Sequence, residues 1–373
     1  MKKPIIILML LVGCIMLLSP GSQCMAEGKL PGQWFGSSLR AMTETTDGYY
    51  MIVNGYLYYF DPETFVPEIV CSRLNCLHQN EEEQSDCDAF TLGSCLTQLD
   101  DHLYYDEIDT FGRMLPDGTN HEEWMPAPWT LGAQQYPYGF YGKYFIYIDE
   151  FIDTTNELNL QIKDLFYTID ISRPQNQSIL IEEWDGTQQA LMPVQITDNA
   201  LYYIIGTNDG EKQLWSFDLK TQEKTQLYQT TEAANYYCNG TNAYMLQANK
   251  GVYLIDLNTK EKKILLTKDE ENTQYTRYYC DGRYIYSIAY NEDTNACTVS
   301  LFDMNGQALS NNIIPSSSSL YMIAENDLLF RSNDRRDVPE TVVSLASLLQ
   351  GDPIVKKITI PEWINQDSYD ENQ

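Results

Sequence analysis

The chain has 373 residues, of which 53 are acidic and 24 basic, so its formal net charge is −29 at pH 7. A field of that sign disfavours binding to nucleic acid and to anionic lipid surfaces, because both are negatively charged. Neutral or cationic partners, such as sugars, peptides and divalent metal ions, are compatible with it. Apolar residues make up 43% of the chain, which is enough for an ordinary core.

The amino terminus has the form of a secretory signal peptide, residues 1–26. Lys2 and Lys3 precede an apolar run over residues 4–18, and a small-residue cleavage site ends at Ala26. About fifteen apolar residues are too few for a membrane-spanning helix, which needs roughly twenty. The sequence therefore predicts an exported protein.

The same segment also fits a second kind of processing, lipidation. Leu11-Val12-Gly13-Cys14 has the form of a bacterial lipobox, with Cys14 as the residue that would carry the lipid. The mature chain is expected to be either secreted or lipid-anchored at the outer face of the cytoplasmic membrane. It would touch the membrane only through the signal peptide or that anchor.

A short phrase recurs along most of the chain and predicts its architecture. It reads aromatic residue or Ile, then Asp, two free positions, and usually Thr or Gly. The clear copies are Phe60-Asp61-Pro62-Glu63-Thr64, Phe217-Asp218-Leu219-Lys220-Thr221, Ile255-Asp256-Leu257-Asn258-Thr259 and Phe302-Asp303-Met304-Asn305-Gly306, with weaker ones at Ile169-Asp170 and Ile108-Asp109. Upstream of the copies lie turn pairs followed by aromatic strands, as in Asp281-Gly282-Arg283-Tyr284-Ile285-Tyr286. A period of roughly 40 to 50 residues in all-strand units is typical of propeller blades.

The fold prediction is all-β: a single β-propeller of four-stranded antiparallel blades over residues 27–360. Counting modules gives seven blades, or six if the two terminal modules complete one shared blade. The recurrent Asp is expected to form an Asx-turn that starts the reversal from the third strand into the fourth. Residues 361–373 are acidic and polar and are expected to form a flexible tail.

One local element is not generic to propellers. Cys71, Cys76, His78 and Cys87 follow the first module within seventeen residues. Three thiolates and an imidazole are an accepted ligand set for a structural zinc ion. Disulfide bonds are the competing interpretation, since exported proteins favour them. We expect a structural clip on the first blade, and the spacing leaves metal and disulfide open.

Two further cysteines occupy equivalent slots. Cys238 and Cys280 each end an aromatic strand just before an Asn-Gly or Asp-Gly turn. Their recurrence predicts small buried residues that pack between blades.

The chain resembles exported Gram-positive bacterial propeller proteins of unknown function, similar to domains described as low-density-lipoprotein-receptor-like propellers. The resemblance rests on the cysteine element, Cys71, Cys76, His78, Cys87 and Ala89, placed after the first hairpin. It implies a propeller fold and an exported location, and it offers no catalytic residues.

No sequence motif points to catalysis. Gly-x-Ser-x-Gly, Walker and dinucleotide-binding motifs are all missing, and the chain has only three histidines. We therefore expect a monomeric, non-enzymatic binding or scaffold protein of the cell surface that holds a glycan, peptide or protein partner. The segment 111–129 is expected to be a long loop whose Trp124 and Trp129 contact the ligand. The alternative is a glycan-acting hydrolase or lyase with a carboxylate site in the propeller channel.

Overall fold

The computed structural model describes residues 41–73, 76, 78, 87–91, 93–130, 133–153, 161–186, 189–268, 274–315, 319–331 and 339–358. The predicted signal peptide with Cys14 and the predicted tail 361–373 lie outside the described residues. They stay predictions.

Strands account for nearly all of the regular structure, and they form seven four-stranded sheets of consecutive strands. Blade 1 contains β1 (Met42–Glu44), β2 (Tyr49–Val53), β3 (Tyr56–Phe60) and β4 (Pro67–Ile69). Blade 2 contains β5 (Leu96–Leu99), β6 (His102–Asp106), β7 (Thr110–Met114) and β8 (Glu122–Pro126). Blade 3 contains β9 (Gln134–Tyr141), β10 (Tyr144–Asp153), β11 (Gln161–Asp170) and β12 (Ile179–Asp185). Blade 4 contains β13 (Gln189–Ile196), β14 (Ala200–Thr207), β15 (Lys212–Asp218) and β16 (Lys224–Thr230).

The remaining three blades follow the same order. Blade 5 contains β17 (Asn235–Asn239), β18 (Asn242–Gln247), β19 (Gly251–Asp256) and β20 (Lys262–Thr267). Blade 6 contains β21 (Tyr275–Cys280), β22 (Ile285–Asn291), β23 (Ala296–Phe302) and β24 (Ala308–Ile314). Blade 7 contains β25 (Ser319–Ile323), β26 (Asp327–Arg331), β27 (Thr341–Ser344) and β28 (Val355–Lys357). All neighbouring strands are antiparallel.

The core lies between the blades. Among the described residues, seven apolar clusters each join two blades, and the cluster of blades 7 and 1 closes the ring. The second strand of a blade is buried on both faces, as in β2, whereas the fourth strand is largely exposed, as in β16. Face-to-face packing of this kind covers sheets that could not bury both faces alone.

The seven-blade prediction is confirmed, and among the described residues no blade combines strands from the two ends of the chain. Blade 1 uses only residues 42–69 and blade 7 only residues 319–357. The ring therefore closes through side chains and not through a strand borrowed by one terminal module from the other.

The recurrent Asp forms the predicted turn. The Oδ1 atom of Asp256 accepts hydrogen bonds from the backbone N–H groups of Asn258 and Thr259, at 2.8 and 2.9 Å. Asp61 and Asp218 do the same for the residues two and three positions later. These donors lower the pKa of each carboxyl group.

Blade 2 corrects two predictions. Asp109 precedes β7 in the turn from the second strand, so Ile108-Asp109 is not a copy of the phrase; Asp117 holds that place and accepts from the N–H of Thr119 at 3.0 Å. The segment 111–129 is not one long loop, because it contains most of β7 and all of β8.

Blade 7 adds one helix that the repeat did not predict. It is α1 (Leu345–Gln350), which follows β27 directly and ends at Gly351 in the left-handed conformation. Leu345 is the first residue of this helix, and its side chain is buried. None of the helices in the described part of the chain has the length and apolarity that crossing a bilayer requires.

Candidate functional site

The cysteine element brings its four predicted residues together. The ligand atoms of Cys71, Cys76, His78 and Cys87 all lie within 4.8 Å of one another. The Cys87 sulfur is 3.8 Å from the Cys71 sulfur and 3.4 Å from Nδ1 of His78. Within the ranges given above, this is the one convergence of three or more His, Cys, Asp or Glu ligand atoms.

The scaffold of this cluster is the hairpin of blade 1. Cys71 lies two residues after the end of β4, and the segment after Cys87 pairs with the turn between β2 and β3 and with the start of β3. The N–H of Leu57 donates to the carbonyl of Ala89 at 2.8 Å, and the N–H of Thr91 donates to the carbonyl of Gly55 at 2.8 Å. Two separate stretches of chain are thereby fixed against one hairpin.

The cluster is partly sheltered, and its thiols differ in acidity. Cys87 is buried, while the other three residues are half-buried. Burial and the neighbouring thiols raise the pKa of Cys87 to about 12. Burial opposes ionisation of Cys71 as well, but backbone N–H groups of Arg73 and Asp88 outweigh it and lower the pKa of that thiol.

A second candidate site is an apolar cleft of about 390 Å³ between blades 4 and 5. Its lining includes Ala190, Met192, Gly206, Lys212, Ala233 and Leu246. The first three lie at the start of β13 and the end of β14, and Ala233 lies in the connection from β16 to β17. The cleft therefore opens at the end of the ring that carries the connections between blades.

One cation projects into this apolar surface. Lys212 is the only charged residue among those that line the cleft, and its Nζ lies 3.4 Å from where a Cβ on Gly206 would be. In the described part of the chain no carboxylate forms an ion pair with this ammonium. No motif marked the cleft in the sequence, because its walls come from residues about forty positions apart with no shared pattern.

A smaller cleft of about 220 Å³ lies between blades 3 and 4 and includes Glu182 and Glu183. Glu182 accepts a hydrogen bond from the hydroxyl of Tyr203 at 3.0 Å and forms an ion pair with Lys224 at 3.0 Å. Its charge is therefore matched within the protein.

The two predicted ligand-contact tryptophans pack within the fold. Trp124 Nε1 donates to the carbonyl of Ile171 at 2.7 Å. The guanidinium of Arg113 lies over the Trp124 ring, 3.8 Å from its centre. Trp129 Nε1 donates to the carbonyl of Ile108 at 2.8 Å. Both side chains are half-buried against the cluster that joins blades 2 and 3. Their role in ligand contact stays a prediction.

Blade 3 carries two buried carboxyl groups. Asp149 is fully buried, and one of its oxygens accepts from the N–H of Thr130 at 3.1 Å. Burial, with Glu150 and Asp185 nearby, raises the pKa of Asp164 to about 6. Neither residue lines the two clefts described above.

Cys238 and Cys280 lie where the repeat predicted, in the apolar clusters of blades 4 and 5 and of blades 5 and 6. Burial raises the pKa of both thiols. They are packing residues between blades.

Comparison with known proteins adds a fold and no family. No protein-family model matches the chain, and no curated protein matches it. Among solved structures, a prolyl endopeptidase matches with 12% identity and a TM-score of 0.50 over 88% of this chain. The chain spans about half of that enzyme, 51% of its length.

Two further matches have lower TM-scores. The designed protein Ika8 is 14% identical with a TM-score of 0.41, covering 89% of this chain and all of Ika8. PorZ, a bacterial surface component of the type-IX secretion system of Porphyromonas gingivalis, is 13% identical with a TM-score of 0.41, over 89% of this chain and 40% of PorZ. At such identities the likeness concerns the fold alone.

Proposed function

We propose that the protein is a non-enzymatic binding or scaffold protein that acts outside the cytoplasmic membrane and holds a peptide segment of a partner protein in the cleft between blades 4 and 5. The observation that carries this proposal is the composition of the cleft, which combines alkyl side chains from two blades with the single ammonium of Lys212. Ligand sites are usually apolar concavities with a few polar groups that fix orientation.

The proposed location rests on the amino terminus. Residues 1–26 have the pattern of a signal peptide, and a lipid on Cys14 would keep the protein at the outer face of the membrane. The resemblance to exported Gram-positive propellers supports the same compartment.

A peptide fits the cleft better than a glycan does. Sugar recognition uses flat aromatic faces and several converging polar groups, whereas the lining here is mainly alanine, leucine, isoleucine and methionine. An apolar side chain of a peptide would fill this surface. A carboxylate beside that side chain, from an acidic residue or the peptide's carboxyl terminus, would pair with Lys212.

Charge limits the rest of the ligand. With a net charge of −29, the protein repels a strongly acidic peptide as a whole. The ligand we propose therefore has one carboxylate next to an apolar side chain and is otherwise neutral or basic.

The rival function is a glycan-acting hydrolase or lyase with a carboxylate site in the propeller channel, and hydrolysis needs two carboxyl groups that flank the glycosidic bond. None of the residues lining the larger cleft is acidic. In the smaller cleft, Glu182 is already engaged by Tyr203 and Lys224. The described clefts thus favour binding over this chemistry.

The test is a parallel screen of the full chain against a displayed peptide library and a panel of polysaccharides, with product analysis of every polysaccharide that is retained. We expect enrichment of peptides with an apolar residue beside a carboxylate. Turnover of a polysaccharide, or enrichment of glycans with no peptide retained, would overturn the proposal.

A further inference from the structure

Two separations in the cysteine cluster match the edges of a metal-centred tetrahedron, and all four ligand atoms lie within 4.8 Å of one another. With zinc–sulfur bonds of about 2.3 Å and zinc–nitrogen bonds of about 2.0 Å, two sulfur ligands lie about 3.8 Å apart and a sulfur and a nitrogen about 3.5 Å apart. The observed separations are 3.8 Å between the Cys71 and Cys87 sulfurs and 3.4 Å between the Cys87 sulfur and the His78 ring.

A disulfide does not account for this arrangement. Bonded sulfurs lie about 2.05 Å apart, well below the 3.8 Å between Cys71 and Cys87. A disulfide would also join only two of the residues and would leave a third thiol and an imidazole turned towards them without a reason. All four ligand atoms converge, and each comes from a different residue.

Asp88, the residue after Cys87, joins the two stretches that carry the cysteines. Asp88 accepts from the hydroxyl of Ser72 at 2.5 Å and from Nε of Arg73 at 3.2 Å. Its backbone carbonyl lies 2.5 Å from Nε2 of His121 in blade 2. These contacts tie the two cysteine-bearing stretches to each other and to the next blade.

His78 lies in the left-handed backbone region, with a φ of 55°. Histidine, like asparagine and aspartate, adopts this region more often than most residues other than glycine. The Nδ1 atom of its ring lies 3.4 Å from the Cys87 sulfur.

We propose that Cys71, Cys76, His78 and Cys87 bind one zinc ion. The ligand set is soft and four-coordinate, which selects zinc over calcium and magnesium. Four protein ligands leave no open position, so the ion is structural and not catalytic. On binding, the three thiols release their protons to the solvent, and the zinc ion is held by three thiolates and a neutral imidazole.

The ion fastens the connection between blades 1 and 2 to the hairpin of blade 1. Without it, this connection is held to the hairpin mainly by the backbone bonds of Leu57 and Thr91 and by the packing of Cys87 and Ala89. The site is independent of the cleft between blades 4 and 5. Its loss is expected to leave peptide binding there intact, so the two proposals fail separately.

The first test needs no variant. The full chain, purified without chelators or added metal, is expected to contain one zinc ion per molecule by mass spectrometry of the elements. A strong chelator should expose three thiols to alkylation and lower Tm by roughly 5 °C or more, and added zinc should reverse both effects. Replacing zinc with cobalt should give the intense absorption of tetrahedral cobalt bound by thiolates.

Two variants give a matched comparison. Cys76→Ala is expected to lose the zinc, whereas Cys297→Ala, which removes a buried thiol from blade 6, should retain it. If Cys76→Ala does not fold, the metal content and the cobalt spectrum of the unaltered chain still test whether the cluster binds zinc. A zinc content near zero would overturn the proposal, whether the peptide map then showed a disulfide among these cysteines or freely alkylated thiols. Retention of zinc by a folded Cys76→Ala would also contradict this ligand set.

Discussion

The hydroxyl of Tyr49 in blade 1 donates a hydrogen bond of 2.8 Å to the carboxylate of Asp327 in blade 7. These residues are 278 positions apart in the chain. The tyrosine ring is buried in the apolar cluster that joins the two blades. Burial, followed by the charge of Asp327, raises the pKa of the Tyr49 hydroxyl, so this hydroxyl stays a donor throughout the accessible pH range. The bond therefore belongs to the closure of the ring.

Tyr49→Phe tests this closure. The change removes the donor and leaves a half-buried carboxylate without it, so we expect the free energy of unfolding to fall by about 1–2 kcal/mol. Denaturant unfolding measures it. Tyr290→Phe removes an exposed hydroxyl bonded to Asn295 and is the control, with an expected change below about 0.5 kcal/mol. Equal effects of the two changes would show that the bond does not stabilise closure.

The recurrent Asp residues should matter for stability and not for binding. Asp256→Ala removes the acceptor of two backbone N–H groups, and we expect a lower Tm than in the control Asp293→Ala, whose carboxylate lies in an exposed turn. The pKa of Asp256 is lowered in the folded protein, so its contribution is present above the usual aspartate pKa and is lost as pH falls through the lowered value. A Tm difference that does not shrink in acid would contradict the turn mechanism.

Asp164 gives the opposite pH dependence. Its folded pKa of about 6 lies above the ordinary 3.8, so folding favours the protonated form and the protein loses stability as pH rises between these values. Asp164→Asn, which cannot ionise, is expected to be more stable than the parent at pH 7 by about 1–3 kcal/mol and not at pH 4. Unfolding curves at the two pH values measure this, with exposed Asp352→Asn as control. A stability difference that is the same at both pH values would refute it.

The tryptophans need a variant that separates packing from binding. Trp129→Ala removes a half-buried ring that packs on Phe111 and Phe145, and we expect a loss of about 2–4 kcal/mol in the free energy of unfolding. Trp129→Phe keeps most of the packing but loses the bond to the Ile108 carbonyl, at a cost of about 1 kcal/mol. If folded Trp129→Phe and Trp124→Phe both bind ligand as the parent does, the predicted ligand contact is wrong.

The repeat predicted the architecture because each turn and each buried strand requires particular residue types at fixed positions. An Asx-turn needs Asp at one place, and a strand buried on both faces needs a run of apolar and aromatic residues, so both can be read from the sequence. Blade 2 was predicted as a module, but its strands β7 and β8 were predicted to be a loop, because Gly112 resembles a loop residue. In the structure Gly112 lies inside β7, and a Cβ there would come within 2.4 Å of the Tyr105 ring, so the glycine makes room for a tyrosine of the preceding strand, β6.

The candidate sites were predictable to different degrees. The four residues of the cysteine cluster were named from their spacing, but spacing does not fix sulfur–sulfur distances, which decide between a disulfide and a metal. No sequence motif predicted the cleft between blades 4 and 5. Residues such as Met192 and Ala233 form it only after two blades have packed against each other.

The most direct test of the proposed function is the affinity of a selected peptide for the parent protein and for a variant with a filled cleft. Ala233→Trp places an indole in the cleft from an exposed position, while Ala308→Trp places one on the exposed fourth strand of blade 6. We predict that calorimetry will show at least about tenfold weaker binding for Ala233→Trp, which corresponds to about 1.4 kcal/mol, several-fold weaker binding for Lys212→Gln, and no change for Ala308→Trp. Equal affinities of Ala233→Trp and Ala308→Trp would contradict the account.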